Sequence, residues 1–166
     1  MSNEHEYSTL EKVNNHNTIK ALLSIPHIME IINLSSQIKF ITFFAEWCPN
    51  CEYEAIELKK YYDSHHLGID FSMVMLFSSI ERSKRFINNY QLNMNYYYGD
   101  INSKDEELNF KSTYYEFRNT LGDDRKWGVP LHIIIKPTIN LKEIFVVKGE
   151  SIQGEINKLL YDIIKV

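Results

Sequence analysis

Ile38-Lys39-Phe40-Ile41-Thr42-Phe43-Phe44-Ala45-Glu46-Trp47-Cys48-Pro49-Asn50-Cys51 decides the fold of this chain. Its first half, Ile38 to Phe44, is a near-continuous apolar run, as expected of a strand covered on both faces. Its second half holds the only two cysteines in 166 residues, with Pro49 and Asn50 between them. The residues from Glu52 to about Asp63 read as a helix, and Pro49 suits its first turn, where the missing N–H would be unpaired anyway. A C-x-x-C at a strand-to-helix junction is the arrangement that dithiol redox chemistry needs. Backbone N–H groups at a helix N-terminus stabilise a thiolate, so Cys48 is expected to have a depressed pKa and to attack disulfides. Cys51 lies one helical turn on and faces the same side, within reach of an internal disulfide.

Working outward, Thr18 to Leu34 carries helical spacing broken by Pro26, which predicts a helix or two short helices. Residues 1–17 are polar and read as a loose lead-in to a single domain over 18–166. Ile69 to Phe77 is the second core strand, and strand, helix, strand in that order implies a right-handed parallel crossover. Ser79 to Tyr90 reads as a helix, and Asn95 to Tyr98 as a short strand or a loop. The spacing of Leu108, Phe110, Tyr114, Phe117 and Leu121 predicts one helix over 105–121, stopped by Gly122. Gly128-Val129-Pro130 then opens a hairpin, with strands over 131–136 and 141–148 and a tight turn at 137–140. A helix over 151–165 closes the chain, with Ser151 as its expected N-cap. These elements give an α/β class with a mixed sheet of four or five strands.

Composition narrows the function classes. With 44% hydrophobic residues the chain can bury a good core, so the cysteines need not staple it. A net charge of −4 gives no electrostatic case for nucleic acid or an anionic membrane surface. No run of about 18 apolar residues predicts a membrane span. The start of the chain is polar and acidic, with no visible signal peptide. The expected location is therefore the cytoplasm, or an exported compartment if a signal or anchor has been trimmed, which the family resemblance that follows implies to be the bacterial periplasm or cell envelope.

Two motifs in the correct order make the chain resemble the thioredoxin superfamily over roughly residues 30–166. One is Phe44-Ala45-Glu46-Trp47-Cys48-Pro49-Asn50-Cys51, close to that family's F-x-A-x-W-C-x-x-C; the other is Gly128-Val129-Pro130 before a hairpin. The resemblance implies a thioredoxin fold: a central mixed β-sheet flanked by helices, with an extended helical segment before a cis-proline hairpin. It also implies that Pro130 has a cis peptide bond and faces the dithiol across a substrate groove. Cytoplasmic thioredoxins carry a buried Asp six residues before the first cysteine; here that place is Thr42. Glu54, three after Cys51, instead completes the C-x-x-C-x-x-E of the TlpA/ResA-like envelope thioredoxins. That group usually has a Pro two after the Glu, where Ile56 stands here, and the stretch from Asp100 to Lys126 is longer than usual.

The implied function is thiol–disulfide oxidoreduction on protein disulfides. Cys48 is the expected nucleophile, Cys51 the resolving thiol and Glu54 the acceptor of the Cys51 proton. Trp47, Pro49, Val129 and Pro130 are the expected substrate-binding residues, Val129 by offering backbone groups to an extended segment. Family analogy favours a reductant over an oxidant, with protein disulfides or dithiols as substrates and a dithiol protein as electron donor. No cofactor or metal is expected, since zinc wants four ligands and a second C-x-x-C is absent. The alternatives are a non-catalytic thioredoxin-like binding module and a copper chaperone that would add His132, two after Pro130, to the cysteines.

Overall fold

The computed structural model describes residues 4–137, 141 and 143–164. Its strands are β1 (Leu10–Val13), β2 (Ile38–Phe44), β3 (Ile69–Met75), β4 (Asn95–Tyr98), β5 (Leu131–Ile135) and β6 (Ile144–Val147). Its helices are α1 (His16–Leu23), α2 (Ile28–Asn33), α3 (Pro49–His65), α4 (Ile80–Asn89), α5 (Glu106–Lys111), α6 (Thr113–Leu121) and α7 (Gln153–Ile164). The sheet runs β1-β6-β5-β2-β3-β4. β2, β3 and β4 are parallel, while β5, β6 and β1 pair antiparallel.

The two central strands are buried almost throughout, which is why they read as unbroken apolar runs. Alternation along β2 then sorts the helices. Phe40 and Phe44 meet Tyr61 of α3 and Phe86 of α4 on one face, and Phe43 meets Tyr114 of α6 on the other. The carboxyl end of β2 feeds directly into α3, so the cysteine pair emerges at the edge of the fully buried core.

Three sequence expectations need correction. The sheet has six strands rather than four or five. The added strand is β1, from the segment expected to be a loose lead-in; it pairs Leu10 with Val147 and Val13 with Ile144. An edge strand of four residues, half-buried only at Leu10 and Val13 on opposite faces, leaves little hydrophobic signal. The helix expected over 105–121 is two helices, broken where Ser112 is extended and caps α6 through a hydrogen bond from the Tyr115 N–H. Ser151 does not cap α7 with its side chain; its hydroxyl bonds the Tyr61 hydroxyl instead, at 2.7 Å. Gly122 does end α6, in the left-handed conformation with φ 72°. The tight turn expected at 137–140 falls on residues 138–140, which lie outside the described residues.

Candidate active site

Cys48 is the N-cap of α3, with extended backbone, and its carbonyl accepts the Glu52 N–H at 3.2 Å. Both cysteines are free thiols. Cys48 keeps 7% of its surface exposed and Cys51 none, so only Cys48 can meet a partner disulfide first. Their acidities diverge in the same sense. The Cys48 thiol is held below its usual value chiefly by the hydrogen bond from Cys51, against the cost of burial and with help from the Cys51 and Asn50 backbone N–H groups. Burial pushes the Cys51 thiol well above its usual value, and the neighbouring Cys48 adds to it.

The second wall is the loop before β5. The Val129–Pro130 peptide is cis, and the Val129 carbonyl lies 3.6 Å from the Cys48 sulfur as a hydrogen-bond acceptor. A buried arginine holds this loop in place. The Arg118 guanidinium is wholly enclosed and donates to the carbonyls of Arg125 at 2.7 Å, Lys126 at 3.2 Å and Asp123 at 3.4 Å. Tyr114 donates to the Gly128 carbonyl, and Arg125 to the Pro130 carbonyl at 3.2 Å. Asp123 completes the set by a two-pronged pairing with Arg125, at 2.9 and 2.8 Å. The long stretch from Asp100 to Lys126 thus contributes, through Tyr114 and Arg118 of α6, the frame that carries the proline loop.

Trp47 donates its indole N–H to the Phe77 carbonyl at 2.9 Å and meets Trp127 edge-on, with ring centroids 5.4 Å apart. Lys104 sits 4.0 Å above the Trp47 ring. Pro49 occupies the first turn of α3, as its fixed φ favours. Cys48, Cys51, Trp47, Pro49, Val129 and Pro130 thus converge from α3 and the proline loop.

Glu54 is buried, one turn beyond Cys51 on the inward side of α3. Its carboxylate accepts from the Ser151 N–H at 2.6 Å and from His132 Nε2. The other ring nitrogen of His132, Nδ1, faces the Thr42 hydroxyl at 2.7 Å. Both ring nitrogens are thereby engaged, one by Glu54 and one by Thr42. Among the described residues no group of three or more His, Cys, Asp or Glu could hold a metal ion.

Sequence reasoning missed His132 as the partner of Glu54, and missed Tyr114, Arg118 and Arg125 as the frame of the loop. A signal existed for two of them. His132 is the one polar residue in the otherwise apolar Leu131–Ile135 strand, and Arg118 lies four residues after Tyr114, on the buried face of its helix.

No protein-family model matches the chain, and no curated protein matches it in sequence. Solved structures do. A secreted Mycobacterium tuberculosis disulfide oxidoreductase homologous to E. coli DsbE matches with TM-score 0.55 and 16% identity, over 78% of this chain and 84% of that one. StoA from Bacillus subtilis matches with TM-score 0.52 and 18% identity, over 78% and 86%. A thioredoxin-related protein from Neisseria meningitidis serogroup B matches with TM-score 0.56 and 16% identity, over 78% and 89%. With its mixed sheet, its C-x-x-C at the start of α3 and its cis-proline before β5, the chain has the thioredoxin fold.

Proposed function

We propose that this protein is a thiol–disulfide oxidoreductase that reduces protein disulfides through Cys48 and Cys51. The observation that carries this reading is the asymmetry of the pair: a slightly exposed thiol of lowered pKa at a helix N-terminus, beside a sealed thiol of raised pKa. Such a pair attacks with one sulfur and resolves with the other.

The Cys48 thiolate attacks one sulfur of a substrate disulfide; a Cys48–substrate bond forms, and the substrate's own S–S bond breaks to release a thiolate. Cys51 then loses its proton and attacks Cys48. The internal disulfide forms, the second substrate thiolate leaves, and two electrons have passed from the dithiol to the substrate. Glu54 is the proposed acceptor of the Cys51 proton, which it passes on to the departing thiolate or to solvent. The substrate chain lies extended along Val129, with Trp47, Pro49 and Pro130 shaping the groove. A dithiol protein returns the electrons. The structural relatives include a secreted disulfide oxidoreductase, and this supports placing the chain in a bacterial envelope.

The test is the equilibrium of the Cys48–Cys51 pair against a graded glutathione buffer, read by Trp47 and Trp127 fluorescence. A potential near that of thioredoxin, about −270 mV, supports the reductant. A potential near that of DsbA, about −120 mV, overturns that direction and makes the protein an oxidant. No redox transition overturns the oxidoreductase reading itself.

A further inference from the structure

Residues 4–8 do not trail away from the domain. The Glu6 carbonyl accepts the Glu150 N–H at 2.8 Å, the Ser8 N–H reaches the Glu150 carbonyl at 2.9 Å, and Tyr7 bridges to Glu150. A Cβ on Gly149, whose φ is 153°, would stand 2.5 Å from the Glu6 carbonyl oxygen, so this close approach requires glycine. The Glu150 side chain is itself buried. It accepts from the Glu6 N–H at 2.6 Å and from His5 Nδ1 at 2.8 Å.

The same carboxylate reaches the C-x-x-C segment. Asn50, between the two cysteines, donates its amide to Glu150 Oε2 at 3.0 Å and to the Glu4 carbonyl at 2.9 Å. Asn50 is buried, and its backbone N–H is one of the groups that hydrogen-bond the Cys48 sulfur. The residue that bears this N–H is thus clamped by its side chain between the turn before α7 and residues 4–8. Glu6 carries a second effect, since its negative charge opposes the Cys48 thiolate.

We infer that the strap of residues 4–8 is a working part of the dithiol site, with Glu150 as the positioning residue that locks Asn50, and so the N–H donor at Cys48, to the strap. This rests on Cys48 being the attacking thiol of the proposed oxidoreductase. A strap that merely closed the sheet edge would contribute stability and leave the chemistry of Cys48 untouched. A strap wired to Asn50 changes the reactivity of a sulfur to which Glu150 makes no direct bond.

The test compares wild type with Glu150→Ala, Glu150→Gln and Glu6→Gln in reduced protein. Cys48 thiolate is titrated by its absorbance near 240 nm, its alkylation rate is measured at pH 7, and thermal unfolding checks the fold. Glu150→Ala is expected to slow alkylation about three- to tenfold and to move the thiolate titration to higher pH. Glu150→Gln keeps an acceptor oxygen for Asn50 and is expected to stay within about twofold of wild type. Glu6→Gln removes the opposing charge and is expected to act in the other direction, speeding alkylation. If Glu150→Ala does not fold, Asn50→Ala cuts the links to Glu150 and to the Glu4 carbonyl while leaving the strap's bonds to Glu150, and the same slowing is expected. A folded Glu150→Ala or Asn50→Ala protein with wild-type alkylation and titration overturns the inference. Failure of the underlying reading looks different: wild type itself would then show no thiolate below the ordinary thiol range and no disulfide reduction.

Discussion

His132 Nε2 donates to the Glu54 carboxylate across the gap between β5 and α3, with both side chains sealed from solvent at 0% and 1% exposure. Burial of a lone carboxylate is costly, and its partners explain why this one is tolerated. One oxygen of Glu54 takes both the imidazole and the Ser151 N–H. His132 is in turn anchored by Thr42, which stands in the strand position that cytoplasmic thioredoxins give to their buried Asp. The buried carboxylate here thus stands on the helix, with a histidine to hold it.

If Glu54 takes the Cys51 proton, Glu54→Gln removes the acceptor while an amide oxygen still faces His132. Resolution of the mixed disulfide is expected to slow by about a hundredfold, the lower end of what a positioned base contributes. The first attack by Cys48 should change little. Rapid-mixing kinetics that separate the two steps check this, and equal slowing of both, or of neither, removes Glu54 from the proton path.

Cys48 and Cys51 should titrate in separate windows. The lowered Cys48 pKa means that thiolate appears, and alkylation accelerates, as pH rises through a value below the usual 9.0. The Cys51 pKa is raised well above 9.0, so Cys51 stays protonated and inert through the same range. Alkylation followed by peptide mapping between pH 5 and 9 is expected to label Cys48 alone. Cys48→Ala should abolish disulfide reduction, and Cys51→Ala should still attack but accumulate the mixed disulfide.

The parts of this fold that could be read in the sequence are those whose signal is local. Ile38 to Cys51 states strand, turn and helix within fourteen consecutive positions, and Pro49 marks the helix start. Gly122 stops α6 because its own backbone adopts φ 72°. The parts that could not be read depend on residues far apart in the chain. Glu150 and Asn50 meet across 100 positions, Glu54 and His132 across 78, and β1 pairs with a strand at the other end of the domain. No spacing rule carries such contacts, and a strand with two exposed residues out of four leaves no alternation to find. The identities alone were suggestive: a Glu, a His and an Arg inside otherwise apolar faces each ask for a buried partner.

Gly128 is the weak point of the proline loop. Its φ is 68°, and a Cβ there would fall 2.2 Å from Cδ and Nε of Arg118. Gly128→Ala must therefore adopt a left-handed conformation, at about 1–2 kcal/mol, and also displace the guanidinium that holds three loop carbonyls. The expected outcome is a fall in unfolding temperature of about 4–8 °C with a larger loss of activity, at least tenfold. The asymmetry is the point of the experiment. The loop carries Val129 and Pro130 against Cys48, so displacing it disturbs the groove more than the core. Calorimetry and disulfide-reduction rates on the same preparation check it.

Asp123 makes the same frame sensitive to acid. Burial alone would raise its pKa, but the hydrogen bonds and charge of Arg125, with the charge of Arg118, outweigh it and hold the carboxyl below its usual value. A carboxyl depressed in the folded state stabilises the protein fully above the unfolded value, about 3.9, and loses that contribution as pH falls through the folded value. Asp123→Asn is therefore expected to be less stable than wild type at pH 7, by about 2–3 kcal/mol, because Arg118 and Arg125 lose their counter-charge. The gap should hold down to about pH 4 and close below it, as wild type becomes protonated at the same site. Urea unfolding of both proteins from pH 7 to pH 2.5 measures the gap directly. A gap that stays constant through that range would mean that Asp123 contributes through shape and neutral hydrogen bonds, with its charge playing no part in fixing the loop.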